Sequence, residues 1–130
     1  MTISVQDAFA IDQLICRYNF AFDGRDSEAF ADCFVPDGRF LLAGDEQARG
    51  RDALRAYVVD LAVPGQLRHL VTSVLAEESG AGATSQSYCT VFSSNPGSGV
   101  QVIAQGVYRD ELTKDAGVWR FTSRDFAPDP

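Results

Sequence analysis

Two hydrophobic periods divide this chain. Up to about residue 62 apolar positions return every three or four residues, and after Pro64-Gly65 they return every second one. The first regime predicts helices and the second predicts strands. Val5, Phe9 with Ala8, Ile11, Leu14 with Ile15, Tyr18 and Phe22 make the stripe of a long helix that Ser4 caps and Gly24 stops near Asp23. Asp26 or Ser27 caps a short second helix with Ala29, Phe30, Cys33 and Phe34 on its packed face. Pro36-Asp37-Gly38 predicts a turn, Arg39 to Ala43 a short strand, and Gly44 to Gly50 a polar loop. Ala53, Leu54, Tyr57, Val58 and Leu61 give a third helix over residues 51–62, closed by Pro64-Gly65.

Four strands follow, over residues 69–77, 83–93, 100–112 and 118–126, joined by short Gly-containing links that favour antiparallel neighbours. The order ααβαββββ predicts one α+β domain over residues 1–130, a curved antiparallel or mixed sheet wrapped on three helices. A long sheet curls as it twists, leaving a cone lined by alternate strand residues. Strict alternation puts His69, Val71, Ser73 and Leu75 on one face and Leu70, Thr72, Val74 and Ala76 on the other.

With 18 acidic against 11 basic residues, the chain lacks the basic footprint that phosphate backbones and anionic membranes select. Cys16, Cys33 and Cys89 form no CxxC pair and read as small buried hydrophobes in a reducing compartment. There is no apolar run long enough for a membrane span and no basic-then-apolar start, so a soluble, cytoplasmic protein is expected. One histidine without a ligand cluster does not suggest a metal, and no Gly-rich loop links a strand to a helix, so no cofactor is expected.

That histidine, His69, is the natural candidate for moving a proton near neutrality, provided a neighbour fixes its tautomer. Asp23, at the end of the first helix, is the candidate neighbour. The same pattern also fits a hydrogen-bonded core histidine. Groups available to polarise a substrate are Tyr18, Arg124, Ser73, and the hydroxyls of Ser87 or Tyr88. Tyr18 lies about 140° around the helix from Asp23, so both reach one cavity only if it wraps the helix end. Alternation sets Arg124 with Arg120 and Thr122, opposite Trp119, Phe121 and Ser123, so both sets face inward only across a bulge. Otherwise Arg124 is a solvated strand residue. Asp110, Glu111, Lys114 and Asp115 read as a polar hairpin end.

Arg17-Tyr18, Asp23-Gly24-Arg25-Asp26, Phe34-Val35-Pro36-Asp37-Gly38, Gly50-Arg51-Asp52-Ala53-Leu54, Arg68-His69-Leu70-Val71-Thr72-Ser73 and Gly117-Val118-Trp119-Arg120 occur in the order seen in one family. The chain resembles the SnoaL-like branch of the nuclear transport factor 2-like superfamily over nearly its whole length. That resemblance implies the cone fold and places His69 and Asp23 where scytalone dehydratase and hexachlorocyclohexane dehydrochlorinase carry a histidine-aspartate dyad. Phe22 and Leu42 stand where scytalone dehydratase has two tyrosines. Tyr18 stands where the dehydrochlorinase has a basic residue, and Arg124 about where it has an arginine.

The resulting expectation is a cofactor-independent lyase, a dehydratase acting on a small hydrophobic cyclic or polyketide-like molecule, with His69 as base and Asp23 orienting it. Polyketide cyclase or double-bond isomerase chemistry in the same pocket is the enzymatic alternative. A non-catalytic binding module or a dioxygenase small subunit is the other, and an adjacent large Rieske subunit would favour that last role. A homodimer or small homo-oligomer, paired through the outer sheet face, is what the resemblance implies.

Overall fold

The computed structural model describes residues 2–130. Helices α1 (Val5–Asp23), α2 (Ser27–Asp32) and α3 (Arg51–Asp60) cover a single six-stranded sheet. Its strands are β1 (Phe34–Leu42), β2 (Asp45–Arg49), β3 (Gln66–Ser79), β4 (Gly82–Asn95), β5 (Gly99–Asp115) and β6 (Val118–Pro128). They are ordered β2-β1-β6-β5-β4-β3, with β1 parallel to β6 and every other pair antiparallel. The sheet is therefore mixed. Residues 45–49, expected as loop, form β2 in a hairpin with β1, because the positive φ of Ala43 and Gly44 turns the chain back onto the edge of β1. Pro36-Asp37-Gly38 does not end a segment but sits inside β1, where pairing to β6 skips from Phe34 to Arg39.

Helix α1 begins where the Ser4 hydroxyl accepts the Asp7 N–H (3.1 Å). The Asp7 carboxylate does not close a capping box. It accepts instead from the Trp119 indole N–H (2.9 Å) and Lys114 (3.1 Å), tying the helix start to the β5–β6 hairpin. Those donors hold the Asp7 carboxyl below its ordinary range, with Trp119 the larger influence. Ile11, Leu14, Ile15, Tyr18, Ala21 and Phe22 are buried, whereas Val5 and Phe9 are exposed. The step from Phe9 to Ile11 is only two residues, about 200° around a helix, so the early apolar residues fall on the solvent side with Phe20.

The helix ends in a Schellman pattern, with Asp26 N–H donating to Ala21 O (2.9 Å) and Arg25 N–H to Phe22 O (3.1 Å). Gly24 is in the ordinary right-handed region (φ −85), and the left-handed residue is Arg25 (φ 52). A non-glycine there costs about 1–2 kcal/mol.

Bulges set which side chains enter the cone. Pairing of β3 with β4 steps between Thr72 and Leu75, and Ser73 adopts φ 57. The slip shifts the inward set from Leu67, His69 and Val71 to Val74 and Ala76, so Ser73 and Leu75 face out, against strict alternation. A second step, between Glu111 and Leu112 opposite β6, lets Trp119, Phe121, Arg124 and Phe126 all point inward.

The core joins the aromatic rings of Tyr18, Phe22, Phe30, Phe34, Tyr108 and Phe121. Cys33 and Cys89 are buried, and burial pushes both thiols up to about 11. Cys16, expected inside, is exposed on α1. Iodoacetamide at pH 8 is therefore expected to label one thiol per folded chain and three after denaturation, counted by intact mass. Labelling of more than one under native conditions would contradict the packing. No helix among the described residues is long and apolar enough to cross a membrane.

Candidate active site

The end of α1 and the start of β3 meet at Asp23 and His69. Asp23 is the last residue of α1, where the helix dipole disfavours a carboxylate by about 0.3–1 kcal/mol. Its two oxygens are both used. Oδ1 lies 2.6 Å from the His69 Nδ1, and Oδ2 accepts the His69 backbone N–H at 2.9 Å. β3 is an edge strand, so alternate N–H groups have no ladder partner, and the aspartate takes the one at His69. Gln66 adds a side-chain hydrogen bond to the Asp23 carbonyl (3.2 Å).

This arrangement fixes the imidazole. The His69 side chain is 4% exposed and that of Asp23 11%. A carboxylate only accepts, so Nδ1 carries the proton and donates it to Asp23. Nε2 then holds the lone pair and makes no hydrogen bond among the described residues. The ring packs tilted against Phe22 (4.5 Å between centroids) and edge-on to Tyr18 (6.5 Å).

His69 lines a hollow of about 170 Å³ between α3, the end of α1 and the inner sheet face. Its wall is formed largely by Phe22, Phe40, Leu42, Tyr57, Leu67 and Phe126, with the half-buried Leu61 and Val63 at its solvent-facing edge. An apolar cavity of about 150 Å³ accepts a benzene ring, so this space suits one six-membered ring. Larger grooves, about 400 Å³ on the outer sheet face and 690 Å³ beside α1, contain neither member of the pair.

The other residues expected at the site divide clearly. Phe22 and Leu42 line the hollow. Tyr18 and Arg124 are fully buried and form no part of its wall. Ser73 and Tyr88 lie on the outer side of the sheet, beside a separate cleft of about 390 Å³, because the β3 bulge turns Ser73 outward and Tyr88 falls on the outward phase of β4. Ser87 faces inward, buried, with its hydroxyl unpartnered.

Arg124 is neither solvated nor at the cavity. Its guanidinium lies over the rings of Tyr108 (3.6 Å to the centroid) and Tyr18 (4.2 Å). Nε approaches Asp110 Oδ1 at 3.1 Å, off the hydrogen-bond axis, while Asp110 Oδ2 accepts from Ser85 (2.9 Å). Asp110, expected on a polar hairpin end, is thus a buried counter-ion, and burial raises its carboxyl despite Arg124 and Ser85.

Sequence reasoning missed Tyr57 and Tyr108 in the cavity wall. Burial raises both phenols above their ordinary range, so they remain donors. From the sequence, Tyr57 reads only as helix core. A polar-tipped aromatic on the packed face of α3 was the available signal.

A SnoaL-like domain model matches residues 4–125. The chain belongs to the SnoaL-like domain family. No curated protein matches it. Among solved structures, this SnoaL-like chain is similar to Rv3472, a function-unknown protein from Mycobacterium tuberculosis. The two are 35% identical over 95% of this chain and 72% of that one, with a TM-score of 0.87. It is also similar to an NTF2-like protein with a cystatin-like fold from Novosphingobium aromaticivorans (26% identity, 95% and 82% coverage, TM-score 0.82). A third similar structure, from Catenulispora acidiphila in complex with S-DNPA, shares 27% identity over 97% and 96% of the chains, with a TM-score of 0.88. The SnoaL-like family thus accounts for the cone and its wrapped helices.

Proposed function

We propose that the protein is a cofactor-independent lyase, a dehydratase acting on a small, largely apolar cyclic or polyketide-like molecule. The observation that carries this reading is the Asp23–His69 pair, 2.6 Å apart, placed so that one ring nitrogen is held and the other is left to an apolar hollow. The complex of the Catenulispora acidiphila relative with S-DNPA supports small-molecule binding.

In the proposed reaction Nε2 takes a proton from a carbon next to a ring carbonyl, and Asp23 steadies the imidazolium formed. The C–H electron pair becomes the new double bond as the β-hydroxyl departs. Imidazolium returns its proton to that hydroxyl, which leaves as water. A general base contributes about 10²- to 10⁴-fold. Further stabilisation comes from a donor at the developing enolate oxygen, and Tyr57 is the residue assigned that role.

The scarcity of polar groups in the wall favours one second reading, a double-bond isomerase in which His69 returns the proton to another carbon. That reaction needs no departing group. Dehydration is tested by following enone absorbance from a panel of cyclic β-hydroxy ketones, with Tyr57→Phe expected to lower turnover about 10²-fold. Turnover of cyclic β,γ-enones without any loss of water from the hydroxy ketones would favour isomerisation instead.

A further inference from the structure

We propose that Arg25 is a latch on the lip of the hollow and thereby a determinant of which ring systems reach His69. This rests on the hollow being the binding site, not on the chemistry performed there. Arg25 crosses from the exit of α1 to the end of α3. Its Nη1 donates to Leu61 O (2.8 Å) and Val58 O (3.3 Å), and its Nη2 to Val63 O (2.9 Å).

Those carbonyls need a partner. α3 has no basic residue in its last turn and passes at Leu61 into extended backbone, so its final carbonyls are unpaired within the helix. A planar cationic fork suits several of them at once and complements the negative end of the helix dipole. The tethered segment forms part of the lip, since Leu61 and Val63 both line the cavity and are both half-buried, open to solvent on their other side. Its far end is fixed by the Ser93 hydroxyl donating to Pro64 O (2.7 Å).

The backbone of Arg25 supplies an independent sign. It occupies the left-handed position that terminates α1, where glycine is the favoured residue, although Gly24 is its neighbour. An observed outlier of this kind points toward a role for its side chain. Here the side chain reaches the lip, and Arg25 stands two residues after Asp23, so one turn positions both the carboxylate of the pair and the opening above it. With the fork in place the mouth is held at single-ring width. Without it, residues 61–63 are free to move apart and admit a wider molecule.

Arg25→Gly separates these effects, because glycine suits the backbone position and leaves α1 and Asp23 in place. The measurements are amide hydrogen exchange in the last turn of α3, residues 57–60, whose N–H groups are paired within the helix that Arg25 closes, and binding of two probes, phenol and 1-naphthol, to the whole chain by NMR titration. Wild-type protein is expected to prefer phenol. In Arg25→Gly, exchange at residues 57–60 is expected to rise at least about tenfold while that of α1 is unchanged, and the phenol-to-naphthol preference to fall at least about fivefold. Arg25→Lys keeps the charge but not the fork and is expected to fall between the two. Unchanged exchange at 57–60 in Arg25→Gly would overturn the latch. Faster exchange with an unchanged probe preference would overturn its role in selection. If wild-type protein takes up neither probe, the role in selection falls together with the hollow as a binding site, and the exchange result shows whether the tether exists.

Discussion

His69→Ala is expected to lower turnover of the cyclic hydroxy ketone by about 10²- to 10⁴-fold, the range a positioned general base supplies. Asp23→Asn is expected to fall within the same range for a different reason. Asparagine keeps the shape of the side chain but offers its own N–H groups, so a neutral imidazole facing them carries its proton on Nε2 and loses the lone pair facing the hollow. Because Asp23 also accepts the His69 backbone N–H, each variant requires a melting curve beside its rate. Full activity in either folded variant would remove the pair from the mechanism.

Arg124→Leu is expected to cost about 3–5 kcal/mol of stability, because it leaves Asp110 buried without its cation. For a chain of this size that lowers the melting temperature by roughly 10–20 °C. The double variant Arg124→Leu with Asp110→Leu removes both charges and is expected to recover most of the loss, since a buried pair replaced by apolar residues is often neutral or stabilising. The single variant also has a definite pH dependence. Burial already raises the folded-state value of Asp110 above its ordinary 3.8, and loss of the neighbouring cation raises it further. A carboxyl raised on folding favours the protonated state, so its penalty is absent well below 3.8 and grows as pH rises through the raised folded value. The gap between Arg124→Leu and wild type is therefore expected to widen from acid toward neutral pH. A constant gap measured by denaturant titration, or a double variant no more stable than the single, would contradict the assigned pairing.

Much of the cone was legible because its period changes from helical to alternating at one place, Pro64-Gly65, and because Gly-containing links punctuate the later strands. The pairing of His69 with Asp23 was also legible, through the only histidine in the chain and the carboxylate at a helix exit. What escaped the pattern were the one-residue slips. The bulge at Ser73 turned an expected pocket residue outward, and the slip near Thr122 carried Arg124 inward, where it meets Asp110, which keeps the inward phase of Tyr108 and Leu112 on β5. Hydrophobic alternation assumes constant register and has no means of marking such a slip. Residues 45–49 were missed likewise, since an edge strand facing solvent is polar at nearly every position. Val5 and Phe9 misled in the opposite direction, as apolar residues whose angle around α1 placed them in water.

A single histidine makes the central claim directly observable, because the imidazole nitrogen spectrum of the chain contains one ring. In ¹⁵N-labelled protein, at a pH where the ring is neutral, the account predicts Nδ1 protonated and Nε2 unprotonated, with the Nε2 resonance moving when phenol is added. A ring protonated at Nε2, or an Nε2 signal indifferent to phenol at concentrations that saturate the hollow, would contradict His69 as the base.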